Sequence, residues 1–251
     1  MELMERYLAL VGFGETGWGA LLLSAAAMTL GVSICGFLTG TVLGSVITFM
    51  QLSRFMALHG ASWRFMALRW LADGYTTVLR GVPDLLVIYL FYFGGSAFLG
   101  YLGGFLGYHG FIGMPAFLTG TLALSVVSAA YQSEVFRGAF KSVASGELEA
   151  ASAIGMRPWP KFRRIIAPLV LRYAIPGLGN TWQLVLKESA LISVTGLVEL
   201  LRQSQIAAGS TRRPFEFYLT AVILYLIITW ASSIVFRRLE TRTLRGTRRA
   251  L

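Results

Sequence analysis

The sequence is poor in the residues that carry most protein chemistry: one cysteine, two histidines, and 12 acidic residues against 22 lysines and arginines in 251 positions. A single cysteine, Cys35, excludes an internal disulfide and leaves no thiol pair to hold a metal. His59 and His109 stand alone, and no HExxH, CxxC, GxSxG or usably spaced carboxylate pair accompanies them. No catalytic residue and no metal site is therefore expected. GxxxxGK[ST] is missing as well, so the chain has no loop of the usual kind to cradle nucleotide phosphates. Any ATP consumed in its work must be bound by another subunit, and no cofactor is expected on this chain.

Charge is scarce too. Charged residues make up 14% of the sequence, where a soluble domain carries about 25%. Apolar residues make up 55%, and mean hydropathy is +0.65. These values describe an all-α, polytopic membrane protein with spans long enough to be helical. The net charge of +10 is then a topology signal. The arginines cluster beside the spans without an aromatic-basic signature, so nucleic acid is excluded as a partner and membrane lipid is the expected surrounding. The first residues, MELMERYLAL, lack the basic region of a cleaved signal peptide, and insertion is expected to use the first span as an anchor.

About five spans are expected in one domain, 1–251. The first covers about Trp18–Met50, with Gly36, Gly40 and Gly44 on one helix face for close packing inside the subunit. An amphipathic stretch from Gln51 to Leu79 follows, and Gly81-Val82-Pro83 interrupts it. The second span is about Asp84–Leu99, then comes a glycine-rich loop over Tyr101–Gly113 and a third span at about Pro115–Phe136. A fourth apolar stretch, Pro168–Leu201, is interrupted by Pro176, Gly177 and Gly179. The fifth is Phe215–Phe236. Trp18, Trp63, Trp70 and Trp230 suit interfacial belts, while Asp73 and Asp84 suit helix caps or flanks. Glu134 and Arg137 suit an interfacial pair.

Lysine and arginine set the orientation. Three follow span one (Arg54, Arg64, Arg69), seven lie between Arg137 and Arg172, six close the chain from Arg237, and the loop 100–113 has none. The N-terminus is expected outside and the C-terminus in the cytoplasm, against the minority vote of Arg202, Arg212 and Arg213.

Between spans three and four lies a charged island, about 145–168. Ser145 is the expected N-cap of a short helix, Glu147 and Glu149 suit its first turn, and Gly155 suits its end. Ala150, Ala151 and Ala153 keep it slim enough for another protein to approach. Arg157, Lys161, Arg163 and Arg164 place it on the basic side. In the fourth stretch Asn180, Gln183 and Lys187 share a helix face, with Glu188 beside them. Charges there point to a solute path. The proline and glycines just before are expected to open the helix, offering an N-terminus to a substrate carboxylate while Glu188 receives a cationic side chain. The bland alternative is a self-neutralising Lys187–Glu188 pair at a helix bend.

Glu149-Ala150-Ala151, Gly155, Ile165 and Pro168 resemble the EAA loop of ABC importer permeases, with Ala167 where that pattern has leucine. Leu79-Arg80-Gly81-Val82-Pro83 resembles the LRG-x-P segment of the polar amino-acid branch. Residues 131–138 (YQSEVFRG), 168–180 (PLVLRYAIPGLGN) and 187–191 (KESAL) resemble three further segments of that branch, and the likeness runs from about residue 18 to 240. The histidine, basic amino-acid and opine permeases are most similar. The resemblance implies the type I importer permease fold and a bacterial inner-membrane location. It also implies that Glu149, Ala150, Ala151 and Gly155 couple to a cytoplasmic ATPase dimer that binds the ATP. A second permease subunit, identical or paralogous, and a periplasmic solute-binding protein would complete the system, with an amino acid as substrate. The competing class is an ATP-independent channel or ion-coupled carrier.

Overall fold

A proline-free run of 38 residues, Gly19–Met56, folds as one helix, α1. The chain is described from a computed structural model covering residues 7, 9–14, 17–56, 63–108, 110 and 112–244, without the side chains of 53–56, 64, 65 and 244. His59, His109, the side chains of Arg54 and Arg64, residues 1–6 and the last arginines (Arg245, Arg248, Arg249) lie outside the described residues. All regular elements among the described residues are helical. After α1 come α2 (Trp63–Gly81), α3 (Asp84–Tyr89), a π-helical turn (Leu90–Gly94) and α4 (Gly95–Phe105). Next are α5 (Ala116–Lys141), α6 (Ser145–Ala153), α7 (Pro158–Lys161) and a second π turn (Phe162–Ile166). Helix α8 (Ala167–Glu188), a 3-10 segment (Ser189–Thr195), α9 (Leu200–Thr211) and α10 (Pro214–Leu244) complete the order.

Gly19–Leu52, Asp84–Phe105 and Pro214–Thr243 are long and apolar enough to cross a membrane. At 1.5 Å per residue α5 and α8 reach about 39 and 33 Å, enough for a ~30 Å hydrocarbon core. These two carry more polar residues, and several of their hydroxyls are satisfied locally, although the buried Thr121 hydroxyl of α5 has no hydrogen-bond partner. Ser125 donates to the Thr121 carbonyl and Thr181 to that of Gly177, as Thr29 and Thr48 do four residues back in α1.

Two sequence boundaries are corrected. The loop expected over Tyr101–Gly113 is helical through Phe105, because backbone in apolar surroundings must bond to itself and glycine then stays helical. It ends at Gly107, with φ of 77°. The fourth stretch does not run to Leu201. It leaves α-helix at Glu188, turns at Gly196 (φ 89°), and restarts at Leu200 under the Glu199 side chain, which accepts from the Leu201 and Arg202 amides.

The described residues form two compact units. The first takes Met1–Leu38, Val82–Ser125 and Gln183–Ala231. Its core has one cluster around Leu22, Leu200 and Phe217 and another around Val32, Ile88, Leu124 and Ile192. Trp18 is half-buried and packs edge-on against Phe217 at 5.9 Å, while Trp63, Trp70 and Trp230 are exposed. The second unit takes Thr39–Gly81, Val126–Trp182 and Ser232–Leu251, and packs Phe136, Ala139 and Ala174.

The glycine face of α1 packs on α5 of the same chain, as expected. A Cβ on Gly36 would lie 2.7 Å from the Leu124 Cβ in the first unit. In the second, a Cβ on Gly40 would lie 2.9 Å from that of Ser128, and one on Gly44 would lie 3.0 Å from the Ala129 carbonyl oxygen. The approach lets Thr41 donate to Gln132 (2.7 Å), whose amide donates to Ser128 (2.6 Å). Backbone cannot retreat as a side chain can. Gly44→Leu is therefore expected to cost about 1–3 kcal/mol, read as a lower melting midpoint of the purified protein. Gly74→Leu, inside α2 at a position with nothing within 4 Å, should not lower it, since leucine favours helix over glycine.

Candidate functional site

Helix α6 carries Glu147 in its first turn, whereas Glu149, expected there too, falls in the second; both are exposed. The expected Ser145 cap is absent. Ala144 occupies the cap position without a side-chain bond, and Ser145 is the first helical residue. The acidic first turn supplies the favourable interaction with the macrodipole instead. Gly155 does end the helix, at φ 72°. Its amide donates to the Ser152 carbonyl (2.9 Å), and the Met156 amide donates to that of Ala151 (3.1 Å), the double bond of a Schellman cap.

Among the four residues assigned to coupling, Glu149, Ala150 and Gly155 are exposed, whereas Ala151 is buried and faces inward. Beyond the cap, Pro158 opens α7, Trp159 stacks on Phe162 (6.0 Å, 21°), and the Lys161 ammonium donates to Ser152 (2.7 Å). The helix and the turn after it are thus tied together, leaving Ile154 and Trp159 as exposed apolar tips.

The second group of expected site residues lies on α8. Pro176 is inside a continuous helix, so no half-helix N-terminus opens there. The glycines serve close packing: a Cβ on Gly177 would meet Val135 at 2.7 Å, and one on Gly179 would meet Phe236 at 3.3 Å. Asn180, exposed, belongs to the second unit, while Gln183, Lys187 and Glu188 belong to the first. Gln183 donates to the Thr229 carbonyl at 3.4 Å, and Lys187 is exposed.

Glu188 is only 6% exposed, and neither carboxylate oxygen accepts a hydrogen bond of ordinary geometry. The Asp84 carboxyl, in the first turn of α3, interacts with it. Two acids thus face each other beside the end of α8, an arrangement that calls for a cation or a shared proton. Asp84 looked like a helix flank in sequence. It lies 104 positions away in the chain, and only the fold brings it to Glu188.

In the second unit Arg80 reaches Glu134 at 3.9 Å and lies 6.0 Å from the Tyr131 ring, and Arg137 bonds the same carboxylate. Glu134 and Arg137 therefore pair, as their interfacial position suggested, and Arg80 anchors the end of α2 to α5.

The family described as binding-protein-dependent transport system inner membrane component matches residues 50–245. The octopine transport system permease protein OccQ of Rhizobium meliloti is 53% identical over 245 residues, covering 98% of this chain and 99% of that protein. The nopaline transport system permease protein NocQ of Agrobacterium fabrum is 44% identical over 242 residues, covering 96% and 98%. Among solved structures, an amino acid ABC transporter crystallised with histidines is similar at a TM-score of 0.74 and 31% identity, covering 90% of this chain and 95% of that one.

Proposed function

Since the chain belongs to the binding-protein-dependent transport system inner membrane component family, the multi-pass permeases of ABC importers, we propose that it moves basic amino acids or their opine conjugates inward across the bacterial inner membrane. The observation that carries this reading is the exposed α6 element, capped at Gly155 and backed by Arg157, Arg163 and Arg164. It is built to be gripped from the basic side. A cytoplasmic ATPase dimer holds ATP and closes on it. The motion enters through Glu149, Ala150 and the Gly155 turn, while Ala151 packs the element onto its own chain. The N-terminus faces the periplasm and the C-terminus the cytoplasm. A periplasmic binding protein delivers the solute, and a second permease subunit completes the pore. The chain acts as a single permease domain without an ATPase site of its own.

The solute class is supported by the Asp84–Glu188 pair, an acidic locus of one buried and one half-buried carboxyl suited to an ammonium or guanidinium group. It is supported equally by the octopine and nopaline permeases among the relatives. Asn180, Gln183 and Lys187 supply polar groups along the same helix, with Lys187 suited to a solute carboxylate.

Cells expressing the whole transport operon test the reading with labelled arginine, histidine, octopine and a neutral amino acid, with and without ATP depletion. Uptake of arginine, histidine and octopine that stops on depletion, exceeding that of the neutral amino acid, is the expected result. Uptake indifferent to ATP would return the chain to the channel or carrier class.

A further inference from the structure

The contact between Asp84 and Glu188 lies within the first unit, and packing holds it from both sides. Ile88, one turn after Asp84 on the same face of α3, shares a core cluster with Val185, one turn before Glu188. Ile192 of the 3-10 segment belongs to the same cluster, and α3 packs directly on that segment. Moving the two carboxyls apart would open this core.

The chain supplies nothing to neutralise them. No N–H or hydroxyl donates to either oxygen of Glu188, and among the described residues neither acid forms an ion pair. Lys187, the neighbouring cation, is exposed. The 3-10 segment, Ser189–Thr195, bears no ionisable group, and neither does the part of α5 in this unit. The part of α1 in this unit bears only Cys35. Tyr89 of α3 packs on Phe93, and Tyr225 of α10 donates to the Glu199 cap at 3.2 Å. Two carboxyls in contact, without a cation between them and shielded from water, cannot both be ionised, so one proton stays on the pair. A guanidinium or ammonium in its place would leave the same single net negative charge.

We propose that the empty pair holds one shared proton and that a cationic solute binds by displacing it, whereas a neutral solute leaves the proton where it is. The inference rests on the reading that basic solutes reach this pair, and adds how they are told from neutral ones. On binding, the O–H bond of the protonated carboxyl breaks and its proton passes to water past the half-exposed Asp84. The N–H groups of the solute cation then donate to both carboxylates. Departure of the solute reverses the exchange, and proton and cation never occupy the pair together.

The test is equilibrium binding of labelled arginine, octopine and citrulline to the assembled transporter in nanodiscs, across neutral pH. Citrulline keeps the α-amino and carboxyl groups of arginine but has an uncharged side chain. Because one proton leaves for each cation bound, affinity for arginine and octopine should rise about tenfold per pH unit. Affinity for citrulline should stay flat. This comparison uses the wild type alone and needs no variant to assemble. Glu188→Gln should weaken arginine binding and flatten its slope, since the remaining half-exposed acid has no like charge beside it and ionises alone.

Arginine affinity that is flat with pH, yet still weakened by Glu188→Gln, would overturn the exchange and leave the solute reading standing. A slope shared by citrulline, or one that survives Glu188→Gln, would place the proton elsewhere and overturn it as well. Binding of arginine and octopine that is absent, or indifferent to Glu188→Gln at every pH, would be a failure of the solute reading itself, and the exchange would fall with it.

Discussion

Gly155→Trp is expected to lower ATP-dependent uptake by at least ~10-fold, the scale on which a central interface residue acts, while the amount of inserted permease stays the same. Gly155 holds φ at 72°, where a non-glycine residue pays about 1–2 kcal/mol. A Cβ there meets nothing within 4 Å, so the chain itself has room for a larger side chain. The indole would project from the end of α6 beside exposed Ile154, on the surface proposed to meet the ATPase. Gly155→Ala separates the two effects, since it carries the backbone strain without the bulk. An exposed helix end absorbs such strain by fraying, and the alanine variant should keep most of its uptake. Uptake measured alongside immunodetection of the membrane fraction decides the matter: full uptake in the tryptophan variant would refute docking at this element. Equal loss in both variants would place the effect in the cap rather than in the partner surface.

Glu188→Gln and Asp84→Asn should each reduce uptake of cationic solutes by roughly 10–100-fold, the equivalent of one charge-assisted hydrogen bond of about 1.5–3 kcal/mol. Neutral amino acids should change far less. Neither Glu188 oxygen accepts a hydrogen bond of ordinary geometry, so replacing it with an uncharged amide removes a buried acid without breaking such a bond and should not impair folding. On the proposed reading the two residues share one cation, and the double variant should fall short of the product of the single losses. Competition between arginine and a neutral amino acid in the same cells measures the ratio directly. A parallel loss of both solutes would make the pair a structural one.

The helices and the glycine stop of α6 were legible because their signals are local. An apolar run marks a span, the repeat of Gly36, Gly40 and Gly44 marks a helix seam, and the stop at Gly155 is written in the residue that adopts it. The failures arose where local cues meet tertiary context. Pro176-Gly177-Leu178-Gly179 has the composition of a break, yet Val135 and Phe236 pack against the glycines and the helix runs through. Gly103 and Gly104 were expected in a loop and remain helical because no water competes for their amides. Ala151 belongs to the docking motif by sequence and to the interior by packing. Asp84 could not be paired with Glu188 from spacing, since the contact joins the start of one helix to the end of another far along the chain.

The seam between α1 and α5 also sets a timetable for synthesis. Thr41 and Gln132, the pair that closes it, are 91 residues apart. At about 5–20 residues per second a ribosome needs roughly 5–18 s to deliver the second after the first. For that interval the first helix has its bare glycine face turned to whatever shares the bilayer, and any other small-residue helix can claim it. Production of this permease is therefore a race between elongation and mispairing, and slowing translation between the codons for Thr41 and Gln132 should lower the yield of folded protein more than slowing it anywhere after α5.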